Sequence, residues 1–181
     1  MKPQLSHVGI YVRDSDTMIR FYEDMMGLTV TDRGRATSSG LPITFMSSNP
    51  TQHHQFVLVE GRKDDGASTI NQLSFKVDTL DEIRAVLAKV KARGLTARQT
   101  SHGNAWSIYF PDPEGNFIEV YMDTPWHVAQ PHGDPMDFAK SDADIHAWTE
   151  GIVRADPTFK PIAERETELS TLLNKVAKVE K

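Results

Sequence analysis

Asn116-Phe117-Ile118-Glu119-Val120-Tyr121 reads as a strand with a carboxylate in its apolar middle, and Gln55-Phe56-Val57-Leu58-Val59 has the same form with leucine at the matching place. β-Branched and aromatic residues suit both to a sheet interior. Each is preceded by the same succession of signals. Leu5-Ser6-His7-Val8-Gly9-Ile10-Tyr11-Val12 and Gln72-Leu73-Ser74-Phe75-Lys76-Val77 read as opening strands. A helix follows each. The first is opened by Asp14 or Asp16 and carries Met18, Phe21, Tyr22 and Met25 at helical spacing; the second carries Leu80, Ile83, Leu87 and Val90 on its inner face. Gly27-Leu28-Thr29 and Gly94-Leu95-Thr96 stop the two helices, and each stop leaves room for three more strands. Residues 4 to 123 therefore spell strand, helix and three strands twice. The expected fold class is α+β, with two tandem βαβββ modules over 1–62 and 68–123. The polar stretch 61 to 68 links them, and 124–181 forms an extended arm and a helical tail.

Laying one copy over the other sets His7 opposite Gln72 and Leu58 opposite Glu119. Three of these four equivalent positions can bind a metal. Taken alone, His7 reads as a core histidine bonded to a backbone carbonyl. Glu119 is harder to accommodate, because a carboxylate desolvated without a partner is costly. Together they point to a metal, and a histidine with a carboxylate suits Fe(II), Mn or Zn. The chain has no cysteine, so any metal here uses nitrogen and oxygen ligands.

A length of 181 residues suits one globular unit or two small halves sharing a core. The net charge of −5 without a concentrated basic stretch argues against nucleic acid and for a small partner. Met1-Lys2-Pro3-Gln4 leads straight into a strand, with no signal core and no membrane-spanning run, which reads as cytoplasmic with no membrane partner. In the tail, Ser141 is placed to cap a helix through Val153, Pro157 and Pro161 interrupt, and a last helix is expected from Ala163 to Val179. Its stripe of Leu169, Leu172, Leu173 and Val176 calls for packing on the body or on a second subunit, as a homodimer or higher oligomer. The loop Arg33 to Leu41 is expected to shape the pocket. Trp106 and Phe45 are candidates for its aromatic wall, although plain core is the commoner role. Pro111-Asp112-Pro113-Glu114-Gly115 reads as a turn with Asp112 and Glu114 exposed. His127, His132 and His146 read as solvated or packing residues.

His7-Val8-Gly9-Ile10, Phe21-Tyr22 with Gly27-Leu28, Asn49-Pro50-Thr51-Gln52-His53-His54, and Ser107 through Pro111-Asp112-Pro113-Glu114-Gly115-Asn116 to Glu119 resemble the vicinal oxygen chelate superfamily. Within it they are most similar to small type I extradiol ring-cleaving dioxygenases and glyoxalase-like proteins. The resemblance covers residues 5 to 123. It implies two modules whose curved mixed sheet surrounds a metal cup. It also implies that His7 and Glu119 are metal ligands, that His54 is an acid or base, that Tyr109 hydrogen-bonds a substrate hydroxyl, and that His102 lines the pocket. Family members with ring-cleaving activity carry a second metal histidine where this chain has Gln72. An amide oxygen is a weaker, neutral donor, which costs Fe(II) more than harder metals. Strand alternation puts His54, Phe56 and Leu58 on one face, with His54 roughly 13 Å from the Leu58 position at about 3.3 Å per residue. That spacing implies a role beside the metal, and His53, on the opposite face, reads as structural or solvent-facing.

Three functions follow in order of expectation. The first is a dioxygenase in which His7, Gln72 and Glu119 hold Fe(II) or Mn(II), the partners being a catechol-like aromatic diol and O₂. The second is a non-redox glyoxalase-like isomerase or lyase with Mn(II), Zn(II) or Ni(II), and the third is a ligand-sequestering protein of the bleomycin-resistance type.

Overall fold

The computed structural model describes residues 3–63, 66 and 68–179, with side chains through Asn174. Asp64, Asp65 and Ala67 of the expected linker, and the Val176 side chain of the expected stripe, lie outside the described residues. In chain order the first repeat runs β1 (Val8–Val12), α1 (Ser15–Met26), β2 (Thr29–Arg35), β3 (Pro42–Ser47) and β4 (Phe56–Glu60). The second runs β5 (Leu73–Lys76), α2 (Leu80–Ala92), β6 (Arg98–Ser101), β7 (Ala105–Pro111) and β8 (Phe117–Asp123). The tail adds β9 (Trp126–His127), β10 (Asp134–Pro135), α3 (Asp142–Ala155), β11 (Lys160–Pro161) and α4 (Ile162–Val179). This is the expected α+β succession. Among the described residues no helix is long and apolar enough to cross a membrane.

Local chemistry explains the helix ends. Asp14 caps α1 by accepting from the Thr17 amide, and Thr79 and Glu82 close a reciprocal capping box on α2. Gly27 and Gly94 follow the two helices with φ of 66° and 70°, a left-handed conformation that side chains with a Cβ disfavour.

Two compact units are distinguished, Met1–Leu73 with Pro111–Ile118, and Ser74–Phe110 with Glu119–Lys181. In the first, the sheet order is β1-β4-β3-β2, with β1 parallel to β4 and Val8 opposite Phe56. Met18, Phe21, Tyr22 and Met25 of α1 are buried, and the Tyr22 ring meets Phe56 edge-on at 4.6 Å. The sheet of β5 to β8 repeats this order as β5-β8-β7-β6, and β10 extends it beyond β6. In the second unit Leu80, Ile83 and Val90 bury the inner face of α2. Trp106, Ile108 and Phe110, on one side of β7, are fully buried. Trp106 donates its indole N–H to Thr149 of α3 at 2.8 Å and stacks edge-on against His146 at 4.7 Å. Trp106 is therefore core, and His146 takes the packing role.

Ser141 caps α3 as expected. The start of α4 is tied down, since β11 pairs with β9 and the Ile162 amide donates to the Pro125 carbonyl. Further along, Leu172 and Leu173 are exposed.

Two expectations are corrected. The segment read as a loop over Arg33 to Leu41 is strand to Arg35, because β2 pairs with β3 through Arg35 opposite Pro42. Asp112 and Glu114 are buried, not exposed. Asp112 accepts from the Glu114 and Asn116 amides, the Asn116 side chain and the Tyr22 hydroxyl. Glu114 accepts from the Arg13 and Asp14 amides and faces Arg13 and Arg62 at 3.6 Å. The Tyr22 hydroxyl that bonds Asp112, and the Arg13, Asp14 and Arg62 groups around Glu114, are distant in sequence, which a local turn signal does not reveal.

Candidate functional site

In the first unit, β1 begins just after His7 and β4 just after Gln55. With Val8 opposite Phe56 in the parallel pair, the chain ends entering both strands run side by side. His54 is therefore in the loop before β4, not on a strand face, and the spacing along a strand does not apply. Its ring lies 4.4 Å from that of His7, edge to face. Phe45 of β3 flanks His54 at 5.0 Å and His53 at 5.6 Å.

His53 is exposed, with its Nδ1 2.9 Å from His54 Nδ1 and its Nε2 3.8 Å from Asp32. Loss of solvent, then the neighbouring His7 and His53 rings, hold His54 below the usual histidine pKa. It is a neutral base at pH 7. His7 is exposed and its Nδ1 faces the Ser6 hydroxyl at 3.3 Å, leaving Nε2 for a ligand. Gln72 is exposed, immediately before β5.

In the second unit, Glu119 is buried on β8. Tyr109 donates its hydroxyl to one carboxylate oxygen, and Ser74 of β5 donates to the other at 2.5 Å. The same Tyr109 oxygen lies 2.8 Å from His102 Nε2, and His102 Nδ1 lies 2.7 Å from the His132 carbonyl. A carbonyl only accepts, so Nδ1 carries a proton. Tyr109 has one proton for two neighbours, and His102, Tyr109 and Glu119 form a continuous series of polar contacts. Burial first, then the Glu119 hydrogen bond and charge, push the Tyr109 pKa up to about 12, against opposing influences of Ser107 and Arg98. The phenol stays protonated at neutral pH.

The structure thus brings His7 to His54, and Glu119 to Tyr109 and His102. Ser74 and Arg98 were not singled out from sequence. Both are polar residues alternating along a strand, a pattern that reads as an ordinary solvent face.

Among the described residues no group of three or more His, Asp or Glu side chains is gathered to hold a metal ion. The chain offers His7 and Gln72 in the first unit and Glu119 in the second. The donor chemistry fits a divalent cation: one imidazole nitrogen, one neutral oxygen and one carboxylate.

Residues 4–120 match the family described as the Glyoxalase/Bleomycin resistance protein/Dioxygenase superfamily. Biphenyl-2,3-diol 1,2-dioxygenase 2 of Rhodococcus globerulus is 24% identical over 127 residues, covering 67% of this chain and 63% of that enzyme, so the match spans less than two thirds of its length. Biphenyl-2,3-diol 1,2-dioxygenase 3 of the same organism is 23% identical over 171 residues, covering 91% of this chain and 81% of that one. Among solved structures, the fosfomycin resistance protein FosX of Listeria monocytogenes, as a variant complexed with Mn(II) and 1S,2S-dihydroxypropylphosphonic acid, superposes with a TM-score of 0.55. Its identity is 20%, over 68% of this chain and 95% of that chain, which shows a common fold.

Proposed function

The chain belongs to the Glyoxalase/Bleomycin resistance protein/Dioxygenase superfamily, and from that premise we propose that it is a metal-dependent extradiol-type dioxygenase that cleaves a catechol-like aromatic diol with O₂. The observation that carries this reading is the hydrogen-bonded series His102, Tyr109 and Glu119. It couples a carboxylate suited to metal ligation to a phenol and an imidazole suited to proton movement. The similarity to two biphenyl-2,3-diol dioxygenases supports the same substrate class.

In this reading His7, Gln72 and Glu119 would hold Fe(II) or Mn(II), which would supply Lewis-acid polarisation of the diol and access to O₂. The chain's own residues handle the protons. With its proton on Nδ1, donated to His53, His54 presents Nε2 as the base that takes the proton of a substrate hydroxyl. Asp32 lies at the far nitrogen of His53, which favours that tautomer. Tyr109 orients the second hydroxyl, and Ser74 fixes the Glu119 carboxylate so that it faces one way.

Gln72 favours a second reading, a non-redox isomerase or lyase using Mn(II), Zn(II) or Ni(II), because an amide oxygen in place of an imidazole suits Lewis-acid work better than O₂ chemistry. Oxygen-electrode measurements on protein loaded anaerobically with Fe(II) separate the two. Uptake stoichiometric with added catechol is expected; metal-replete protein that consumes none would sink the dioxygenase reading. Oxygen-independent turnover with Mn(II) or Zn(II) would establish the second.

A further inference from the structure

We infer that Arg98 is the receptor for a carboxylate carried by the substrate, so that the preferred ligand is an anionic diol and not a neutral one. The β6–β7 register places Arg98 directly opposite Tyr109 and Thr100 directly opposite Ser107. Directly opposed residues project to the same side of a sheet, so these four side chains form one cross-strand group within the second unit. The Arg98 guanidinium is held there twice. Its carbon lies 4.1 Å over the centre of the Tyr109 ring, and one of its terminal nitrogens donates to Thr100 Oγ1 at 2.9 Å.

Those contacts orient the cation without neutralising it. Among the described residues no carboxylate lies within ion-pair distance of Arg98, whereas Arg62 pairs with Glu114 and Arg84 with Asp81 and Asp142. A guanidinium offers five N–H donors in a fixed plane, and four of them remain. Arg98 is exposed, so these donors are accessible from solvent. Among the described residues, fully buried Ser107 Oγ has no partner of hydrogen-bond geometry and adds a polar atom to the same group.

The chemistry that matches a planar, unpaired fork is a carboxylate bound by two parallel hydrogen bonds. Its location selects where on the ligand that group must be. The cation lies over the same ring whose hydroxyl meets Glu119, so a ligand with its diol at Tyr109 presents a neighbouring ring substituent to Arg98. This assignment rests on the diol reading above for the ligand's other end, but not on ring cleavage.

Equilibrium binding tests it without requiring turnover. Quenching of tryptophan fluorescence is read with catechol and with 3,4-dihydroxybenzoate, for the wild-type protein and for Arg98→Met and Arg98→Lys, under anaerobic conditions. The wild-type protein is expected to bind dihydroxybenzoate roughly tenfold more tightly than catechol, about 1.4 kcal/mol. Arg98→Met should bring the two affinities together, and retained quenching by catechol shows that the variant is folded. Arg98→Lys should restore part of it, as a charge without the fork. Equal affinities in the wild-type protein, or a preference that survives Arg98→Met, would overturn the assignment. A preference lost in Arg98→Met with no oxygen uptake in the earlier assay supports Arg98 as receptor while removing the dioxygenase reading.

Discussion

At the scale of single residues, the proposed chemistry starts from a buried carboxylate on an apolar strand. Glu119 stands in an apolar strand, is buried, and has both oxygens engaged by hydroxyls. Gln72 is the position at which one side chain sets the strength of the proposed metal site. An imidazole there binds borderline divalent metals better than an amide oxygen does. Gln72→His is therefore expected to raise Fe(II) retained per chain after dialysis against a weak chelator, and each additional ~1.4 kcal/mol of ligation is a tenfold gain in affinity. The residue is exposed, so the change carries little packing cost, and unaltered thermal unfolding of the metal-free variant is the control. If the variant holds no more metal than the parent, Gln72 is not a ligand position. His7 and Glu119 were legible as candidates from the residues themselves, and His54, Tyr109 and His102 only through the family resemblance. Ser74 and Arg98 were not, because their importance depends on cross-strand neighbours: Ser74 reaches Glu119 and Arg98 faces Tyr109.

At the scale of elements, the tail supplies parts of the second unit. The His132 carbonyl receives His102 Nδ1–H, and the Gln130 amide donates to the His102 carbonyl at 2.8 Å, so the arm before β10 fixes the histidine that meets Tyr109. The α3 helix is pinned by the bond from Trp106 to Thr149, both fully buried. Thr149→Val keeps the shape and leaves a buried indole N–H without an acceptor, a loss of about 1–3 kcal/mol. Urea denaturation should register it, and Thr149→Ser should recover most of it; a silent Thr149→Val would mean that water replaces the hydroxyl. The β9–β11 pair carries a pH dependence of its own. Loss of solvent, then Arg165 and Lys160, hold the His127 pKa below 6.5, with Glu168 opposing. Below about pH 6.5, the ordinary histidine value, the unfolded chain binds this proton more readily than the folded one. The contribution of His127 to stability therefore falls as pH drops from 6.5 toward the folded pKa, and is constant above 6.5. His127→Gln should flatten the stability profile below pH 6.5 in chemical denaturation; an unchanged slope would assign the loss to another group. Helix existence and caps in this region were legible because Ser141, Pro157 and Pro161 act locally. The pairing of β11 with β9 and of β10 with β6 was not, since two-residue strands have no periodicity to read.

At the scale of the whole molecule, the duplication was the most legible feature, because the same five-element succession recurs and both copies give one strand order. The composition of the compact units was not legible. Unit one combines Met1–Leu73 with Pro111–Ile118, stretches separated by a long intervening chain, and closing such a loop has an entropic cost that local turn signals cannot offset. Glu114 supplies long-range attachment. Its side chain is 4% exposed, it accepts from two backbone amides at the start of α1, and it faces Arg62, 15% exposed, and Arg13, 36% exposed. Glu114→Gln keeps an oxygen for the amides and removes the charge, leaving Arg62 shielded from water without its counter-ion. Removing one partner of a fully buried pair costs about 3–5 kcal/mol, and the exposure of Arg13 lowers the expectation here to roughly 2–4 kcal/mol. A double-mutant cycle with Arg62→Met isolates the charge effect: the double variant should be more stable than the sum of the single losses implies, because the stranded cation is removed as well. Strict additivity in urea unfolding would show that Glu114 acts through its backbone contacts alone, and that the segment Pro111–Ile118 is held in its unit by shape and not by charge.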